Sequence, residues 1–293
     1  MKRIERTTSR TAAMTCSSRA ASFLETNPHY HCNDDIAVKI LPHFLRLLFY
    51  MPVLRRYFLR ILAPMGIFEY VIARTKYIDE VYEKALIEGF DQILIFGAGY
   101  DSRALRFRAM AQRTRIFELD EPHTQTAKIR QFQKRGLSIP SNVHFISIDL
   151  EKESLRQKLD SGGFEKSKKT LFILEGVLMY LISDAVHDTF ETIQAYAGSG
   201  SRAVFDYIRA SVLRHENMLY GEPGIVKAVS KAGEKWQFGF EPDEVDPFAE
   251  GYGFNVTDHK CVHDLEKAYF QDEDGQLAGR VNGTHCIVTL DKR

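Results

Sequence analysis

Paired or clustered cysteines are missing from this chain, and so is any excess of charge of either sign. Cys16, Cys32, Cys261 and Cys286 are scattered without a Cys-x-x-Cys pair. That argues against a zinc site or a disulfide framework and for a reducing compartment. His29-Tyr30-His31-Cys32 has ligand-type side chains, but it sits in a polar turn with no partner at a recognised spacing, so no metal is expected. Lys+Arg and Asp+Glu both total 39, which leaves no global field to draw in nucleic acid. Long apolar runs are absent too, since none approaches the ~20 residues of a spanning helix. The nearest, Ile36 to Tyr70, is broken by Arg46, Arg55, Arg56 and Arg60 and by Pro42, Pro52 and Pro64. We read it as two short helices packed over a pocket, a lid, in preference to a basic amphipathic helix on a membrane surface. Met1 to Arg6 is charged with no apolar run behind it, so a signal peptide is not expected and a cytoplasmic location is.

With 44% hydrophobic residues the chain can build a substantial core. Residues 1–90 read as helical, ending in a helix from Ile67 to Glu88 closed by Gly89. Strands then alternate with helices. Strands are expected at Gln92 to Phe96, Arg115 to Leu119, Val143 to Ile148, Leu171 to Leu174 and Ala203 to Tyr207. Helices are expected at Asp101 to Ala111, Pro122 to Arg135, Glu153 to Leu159 and Ser183 to Tyr196. Residues 209–236 look like an irregular helical insertion, followed by a helix from Val245 to Gly251 and strands at Phe254 to His259 and Thr284 to Leu290. Such alternation implies an α/β fold with a mostly parallel sheet of about seven strands. One domain over 1–293 is expected: a helical cap at 1–90, a cofactor-binding core at 91–208, an insertion over the substrate site at 209–240, and completing strands at 241–293.

The most informative segment is Phe96-Gly97-Ala98-Gly99-Tyr100-Asp101-Ser102-Arg103. A buried strand ends in a Gly-x-Gly turn and runs into a helix, where small residues let a ligand approach the backbone. Ser102 takes the third glycine position of the dinucleotide fingerprint, which points away from a diphosphate and toward S-adenosyl-L-methionine. Ligands of open parallel sheets bind beyond the carboxyl ends of the strands. Those ends present Gly97 and Gly99, then Glu118 and Asp120, then Asp149 and Leu150, then Glu175. Asp120 lies about 20 residues past the glycine turn, the offset of a ribose-binding carboxylate. Asp149 could accept from an adenine amine with Leu150 against the ring, and Glu175 could meet an ammonium group.

These motifs, with Glu118-Leu-Asp-Glu-Pro122, Ile148-Asp-Leu150, Leu174-Glu-Gly-Val-Leu-Met-Tyr-Leu181 and Ala73-Arg74-Thr75, resemble the leucine carboxyl methyltransferase family over roughly residues 68–208. That family includes bacterial O-methyltransferases of polyketide-type natural products. The resemblance implies a Rossmann-like class I methyltransferase sheet. It also implies that Arg74 pairs with the methionine carboxylate, that Gly97 and Gly99 lie under the cofactor, and that Asp120 takes the ribose. Asp149 and Leu150 would hold the adenine, Glu175 the methionine ammonium, and Tyr180 would face the transferred methyl. Ser18-Arg19-Ala20 corresponds to a basic N-terminal element near the cofactor.

Arg74 and Tyr180 are therefore the candidate catalytic residues. An ionised carboxylate needs no general base, whereas a hydroxyl usually does. No histidine falls in these motifs; His123 opens a helix and His144 sits mid-strand. The expected activity is O-methylation of a carboxyl group on a small molecule or peptide end. Alternatives are a phenol or alcohol acceptor, served by His215 or Tyr220 of the insertion, a non-catalytic regulator that binds the cofactor, and a nicotinamide oxidoreductase.

Overall fold

The computed structural model describes residues 10–150 and 152–293, so the Met1 to Arg6 stretch that carried the signal-peptide expectation lies outside them. Seven strands form one sheet: β1 (Gln92–Phe96), β2 (Arg115–Asp120), β3 (Val143–Ser147), β4 (Thr170–Leu174), β5 (Arg202–Ile208), β6 (Phe254–Lys260) and β7 (His285–Lys292). Their order is β3-β2-β1-β4-β5-β7-β6. Strands β1 to β5 pair in parallel, and β7 runs antiparallel to both β5 and β6. The chain builds outward from β1 to β3, then crosses to β4 on the other side of β1. The crevice of the fold therefore opens where β1 and β4 end.

Every residue of β1 and of β4 is buried, as continuous apolar runs dictate for strands covered on both faces. Alternation splits their side chains between two cores. Ile93, Ile95, Leu171, Ile173 and Val204 pack with Tyr82 and Ala85 of helix α5 (Ile67–Ile87). Leu94, Phe96, Phe172, Leu174 and Phe205 pack on the other face with Phe190 and Ile193. Ahead of α5 stand α1 (Arg10–Phe23), α2 (Asp35–Ile40), α3 (His43–Tyr50) and α4 (Pro52–Leu62).

The expected helix from Asp101 to Ala111 shrinks to α6 (Arg103–Arg106), with a 3-10 turn at Ala111–Arg113. The Asp101 carboxylate accepts from the Arg103 N–H and guanidinium, holding residues 101–102 outside the helix. After it come α7 (Pro122–Lys134), α8 (Leu155–Ser161) and α9 (Ser183–Tyr196). The insertion holds α10 (Ala210–Leu213) and α11 (Glu222–Ala232), then α12 (Val245–Gly251) precedes β6. An unexpected helix, α13 (Val262–Tyr269), follows β6, its start capped by Asp264 accepting from the Cys261 N–H.

The cysteine reading needs correction. Cys261 and Cys286 form a disulfide, because antiparallel pairing of Lys260 with Ile287 brings their neighbours face to face. Spacing along the chain cannot reveal a bond set by strand register. The argument from scattered cysteines to a reducing compartment falls with it, although Cys16 and Cys32 remain free and buried. Among the described residues, His259 with this pair is the one trio of ligand-type side chains close together, but sulfurs joined in a disulfide are not the thiolates a metal would need. No described helix is long and apolar enough to cross a membrane.

Candidate active site

Four neighbouring strand ends bring the expected residues into one row. Gly97 and Gly99 follow β1 with φ of +54° and +47°, a left-handed turn that glycine adopts without strain. A Cβ at Gly97 would stand 2.8 Å from Val177 Cγ2, so the turn also leaves no room for a side chain. The turn is fastened to the next strand: the Gly99 N–H donates to Asp120 Oδ2 at 2.5 Å, and the Glu121 N–H to Oδ1 at 2.7 Å. Burial raises the Asp120 carboxyl above its usual range, against the pull of those two amides. Glu118, two residues earlier, turns away from this work and binds Lys128 Nζ at 2.5 Å.

Asp149 and Leu150 lie just past β3, both half-buried, and the Ile148 N–H donates to the Asp120 carbonyl at 2.9 Å. Asp149 also meets Lys152 Nζ at 2.8 Å. The row therefore runs Asp149, Asp120, Gly97–Gly99, Glu175.

On the β4 side the site is ionic and largely buried. Arg74 extends from α5 to Asp206 Oδ2 at 2.6 Å and to Glu175 Oε1 at 3.1 Å. Arg103 Nη1 bridges Asp101 at 2.5 Å and Glu175 Oε2 at 2.8 Å. Burial would raise the Glu175 carboxyl, but Arg103, Arg74 and Arg19 outweigh it and hold the group down to about 2. Gly176 has φ +66° and donates its N–H to Asp206 Oδ1 at 2.5 Å, so the backbone turns directly under Arg74. Arg19, from the N-terminal element, donates to the Tyr100 carbonyl at 2.7 Å and to Asp34 at 2.8 Å, and Ser102 Oγ donates to the other Asp34 oxygen. The third fingerprint position thus serves α1 and α2 through its hydroxyl, a role glycine could not fill.

Tyr180 ends a 3-10 turn at Leu178–Tyr180. Burial and the Glu234 carboxylate push its hydroxyl up to about 12, against contacts with Trp236 and Thr11. Behind this corner His285 stacks on Tyr70 with ring centroids 4.3 Å apart and meets Trp236 edge-on at 5.5 Å. Burial lowers the imidazole to about 3, and its Nδ1 lies 2.7 Å from the Thr284 hydroxyl. The Tyr70 hydroxyl donates to Asp206 at 2.7 Å, closing the chain of contacts back to Arg74.

Asp206, Arg103, Trp236 and His285 were not among the expected site residues. A lone acid within the apolar run Ala203-Val-Phe-Asp-Tyr-Ile208 was the available signal for Asp206. His285 opens β7, the last strand in sequence, whose place between β5 and β6 only the topology reveals. The other histidines lie elsewhere. His144 stacks on Phe117, and His215 is exposed in a left-handed turn. Tyr220 lies beneath Arg280.

The family model described as leucine carboxyl methyltransferase matches residues 54–194. The Bacillus subtilis (strain 168) protein YktD, provisionally named an S-adenosyl-L-methionine-dependent methyltransferase, is 28% identical over 207 residues. That match takes in 71% of this chain and 68% of YktD. A Mycobacteroides abscessus protein with the same provisional description is 36% identical over 129 residues, 44% of this chain and 42% of its own length. A Mycobacterium avium relative is likewise matched over 44% of its length, so the chain spans less than half of these two curated relatives. Two solved structures share the fold. One is a duf574 family protein from Streptomyces avermitilis, with TM-score 0.57, 14% identity and coverage of 94% of this chain and 97% of that one. The other is a provisionally named methyltransferase from Thermobifida fusca, with TM-score 0.55, 15% identity and 94% coverage of both. The matched stretch, residues 54–194, holds Arg74, the glycine turn, Asp120, Asp149 and Glu175, and over it the chain is similar to the leucine carboxyl methyltransferase family.

Proposed function

We infer that the protein is an S-adenosyl-L-methionine-dependent methyltransferase, and we propose that it transfers the methyl group to the oxygen of a carboxylate. The observation that carries the cofactor reading is the left-handed Gly97–Gly99 turn, without room for a Cβ at Gly97, pinned to Asp120 on the adjacent strand. A nucleoside can lie on such a bare backbone. In this reading Asp120 takes its ribose hydroxyls, and Asp149 and Leu150 its base. The Arg74–Glu175–Arg103 cluster suits the zwitterionic end, the guanidinium facing a carboxylate and Glu175 an ammonium.

A bound sulfonium methyl is already electrophilic, so alignment and exclusion of water are the protein's main contributions. Glu175, held ionised far below neutral pH, keeps its charge throughout. Tyr180 remains protonated at neutral pH and can donate a hydrogen bond to an acceptor oxygen, orienting it. The nearby imidazole, His285, is lowered to about 3 and is a poor acceptor for a phenol's proton. A carboxylate brings its own electron pair and needs no base, which is why this site favours it. Arg74 contributes by holding the cofactor's carboxylate end beside that oxygen.

Methyl transfer from labelled S-adenosylmethionine to a panel of carboxylic acids and phenols tests the reading. Ester products release labelled methanol in alkali, and that is the expected outcome. Alkali-stable label on phenols would replace the carboxylate with a hydroxyl acceptor. Tight cofactor binding with no transfer to any acceptor would point to a regulator.

A further inference from the structure

Helices α3 and α4 carry apolar side chains on both sides, and among the described residues only the inner side packs against the rest of the fold. Phe49 is buried, and Leu45, Leu48 and Leu59 pack against the core. Arg55 also points inward, donating to Glu25 at 2.9 Å and to the Phe49 carbonyl at 2.7 Å. The pair is thereby fixed in place with its other face turned out. That outer face presents Phe44, Leu47, Tyr50, Met51, Val53, Leu54 and Tyr57, with Val53 79% exposed, Phe44 68% and Tyr57 65%. Isolated exposed apolar groups are ordinary; seven within fourteen consecutive residues form a patch that asks for an occupant.

Charge identifies the occupant. From Ile36 to Phe68 the chain holds Lys39, Arg46, Arg55, Arg56 and Arg60 and not one aspartate or glutamate, although the whole chain is neutral. Arg55 is turned inward on Glu25 and Lys39 pairs with Asp35, which leaves, among the described residues, Arg46, half-exposed, and Arg56, exposed with Nη2 3.8 Å from Glu25 Oε2, as the cations beside the apolar face. A second copy docked about a two-fold axis would set Arg46 and Arg56 against their own counterparts, with no acid on either helix to offset them, and like charges would oppose the contact. A surface that is negative outside and apolar beneath matches both features at once. We propose that the outward face of α3 and α4 docks on an anionic lipid surface, lying in the interface without crossing it.

Co-sedimentation of the full chain with vesicles tests this. One set is phosphatidylcholine alone, the other an equal mixture of phosphatidylcholine and phosphatidylglycerol. At least tenfold more protein is expected on the anionic vesicles, with binding that weakens as salt rises. The double variant Val53→Asp/Tyr57→Asp should lose that binding at least tenfold while keeping the wild-type circular dichroism melt. Should it fail to fold, Phe44→Ser on α3 provides the same test with a milder change. Equal or absent binding to both vesicle types overturns the proposal, as does a variant that binds like wild type. A wild-type dimer that the substitutions dissociate overturns it too, because a second copy would then be the occupant.

Discussion

His285 and Glu118 are both buried, and burial moves them in opposite directions: the imidazole falls from its usual 6.5 to about 3, and the carboxyl rises from 4.5 to about 7 in spite of Lys128. Between pH 6.5 and 3 the unfolded chain binds a proton at His285 that the folded one refuses, so acidification costs stability there. Between pH 7 and 4.5 the folded chain binds a proton at Glu118 before the unfolded one does, so acidification adds stability. The two effects oppose each other from about pH 6.5 to 4.5. His285→Asn removes the first and leaves the second. From pH 6 to 5 the variant's unfolding free energy in urea should gain on wild type by about 1 kcal/mol, as one proton per pH unit requires. Parallel curves would show that His285 is not held neutral. At this scale the residues beside the glycine turn were legible, because strand-end positions follow from local pattern. Asp206 and His285 were not, because their neighbours Arg74, Tyr70 and Trp236 come from segments far apart in the chain.

The long and strongly patterned elements matched expectation to within a residue or two, as α5, α9 and β1 illustrate. The misses were short elements decided by side chains: α6, cut back by Asp101, and α13, begun by an Asp264 cap. The Cys261–Cys286 bond belongs to this scale as well, since it ties the end of β6 to the start of β7 around α13 with a sequence separation of 25. Closing a loop of that length restricts the unfolded chain by about 3 kcal/mol in the chain-entropy account. Cys286→Ser, or reduction of the wild type, is expected to lower unfolding free energy by roughly that amount. The sheet's far side should suffer first, read as faster amide exchange in β6 and β7 than in β1 and β4. A bond that leaves both stability and exchange untouched on reduction would not be closed in the native protein.

Across the whole molecule, the two peripheral pieces meet over the strand ends. Helix α1 lies on the glycine turn: a Cβ at Gly99 would stand 3.1 Å from the Ala12 Cβ, and Arg19 holds the Tyr100 carbonyl. The segment after α11 comes from the other direction, and Thr11 donates to Glu234 where the two join. Met14, Val229 and Trp236 pack around Ile67, Val71 and Ile225 beside that junction. Neither piece belongs to the sheet; Ser18-Arg19-Ala20 pointed α1 toward the cofactor, but no pattern in the sequence joined it to the segment after α11. A ligand seated on Gly97–Gly99 would have to leave past this seam, which makes the Thr11–Glu234 contact a latch on its escape. Glu234→Ala should therefore speed dissociation of S-adenosylhomocysteine several-fold and leave overall stability within about 1 kcal/mol, since one half-exposed hydrogen bond is worth little to the fold. Stopped-flow release and a urea melt of the same variant separate the two quantities. Added S-adenosylhomocysteine should also slow amide exchange in α1 and in residues 222–236 together, because closing the seam orders both sides at once. Protection of α1 alone, or unchanged release from the variant, would mean that the insertion stands apart from the cofactor's exit and that the cap closes without it.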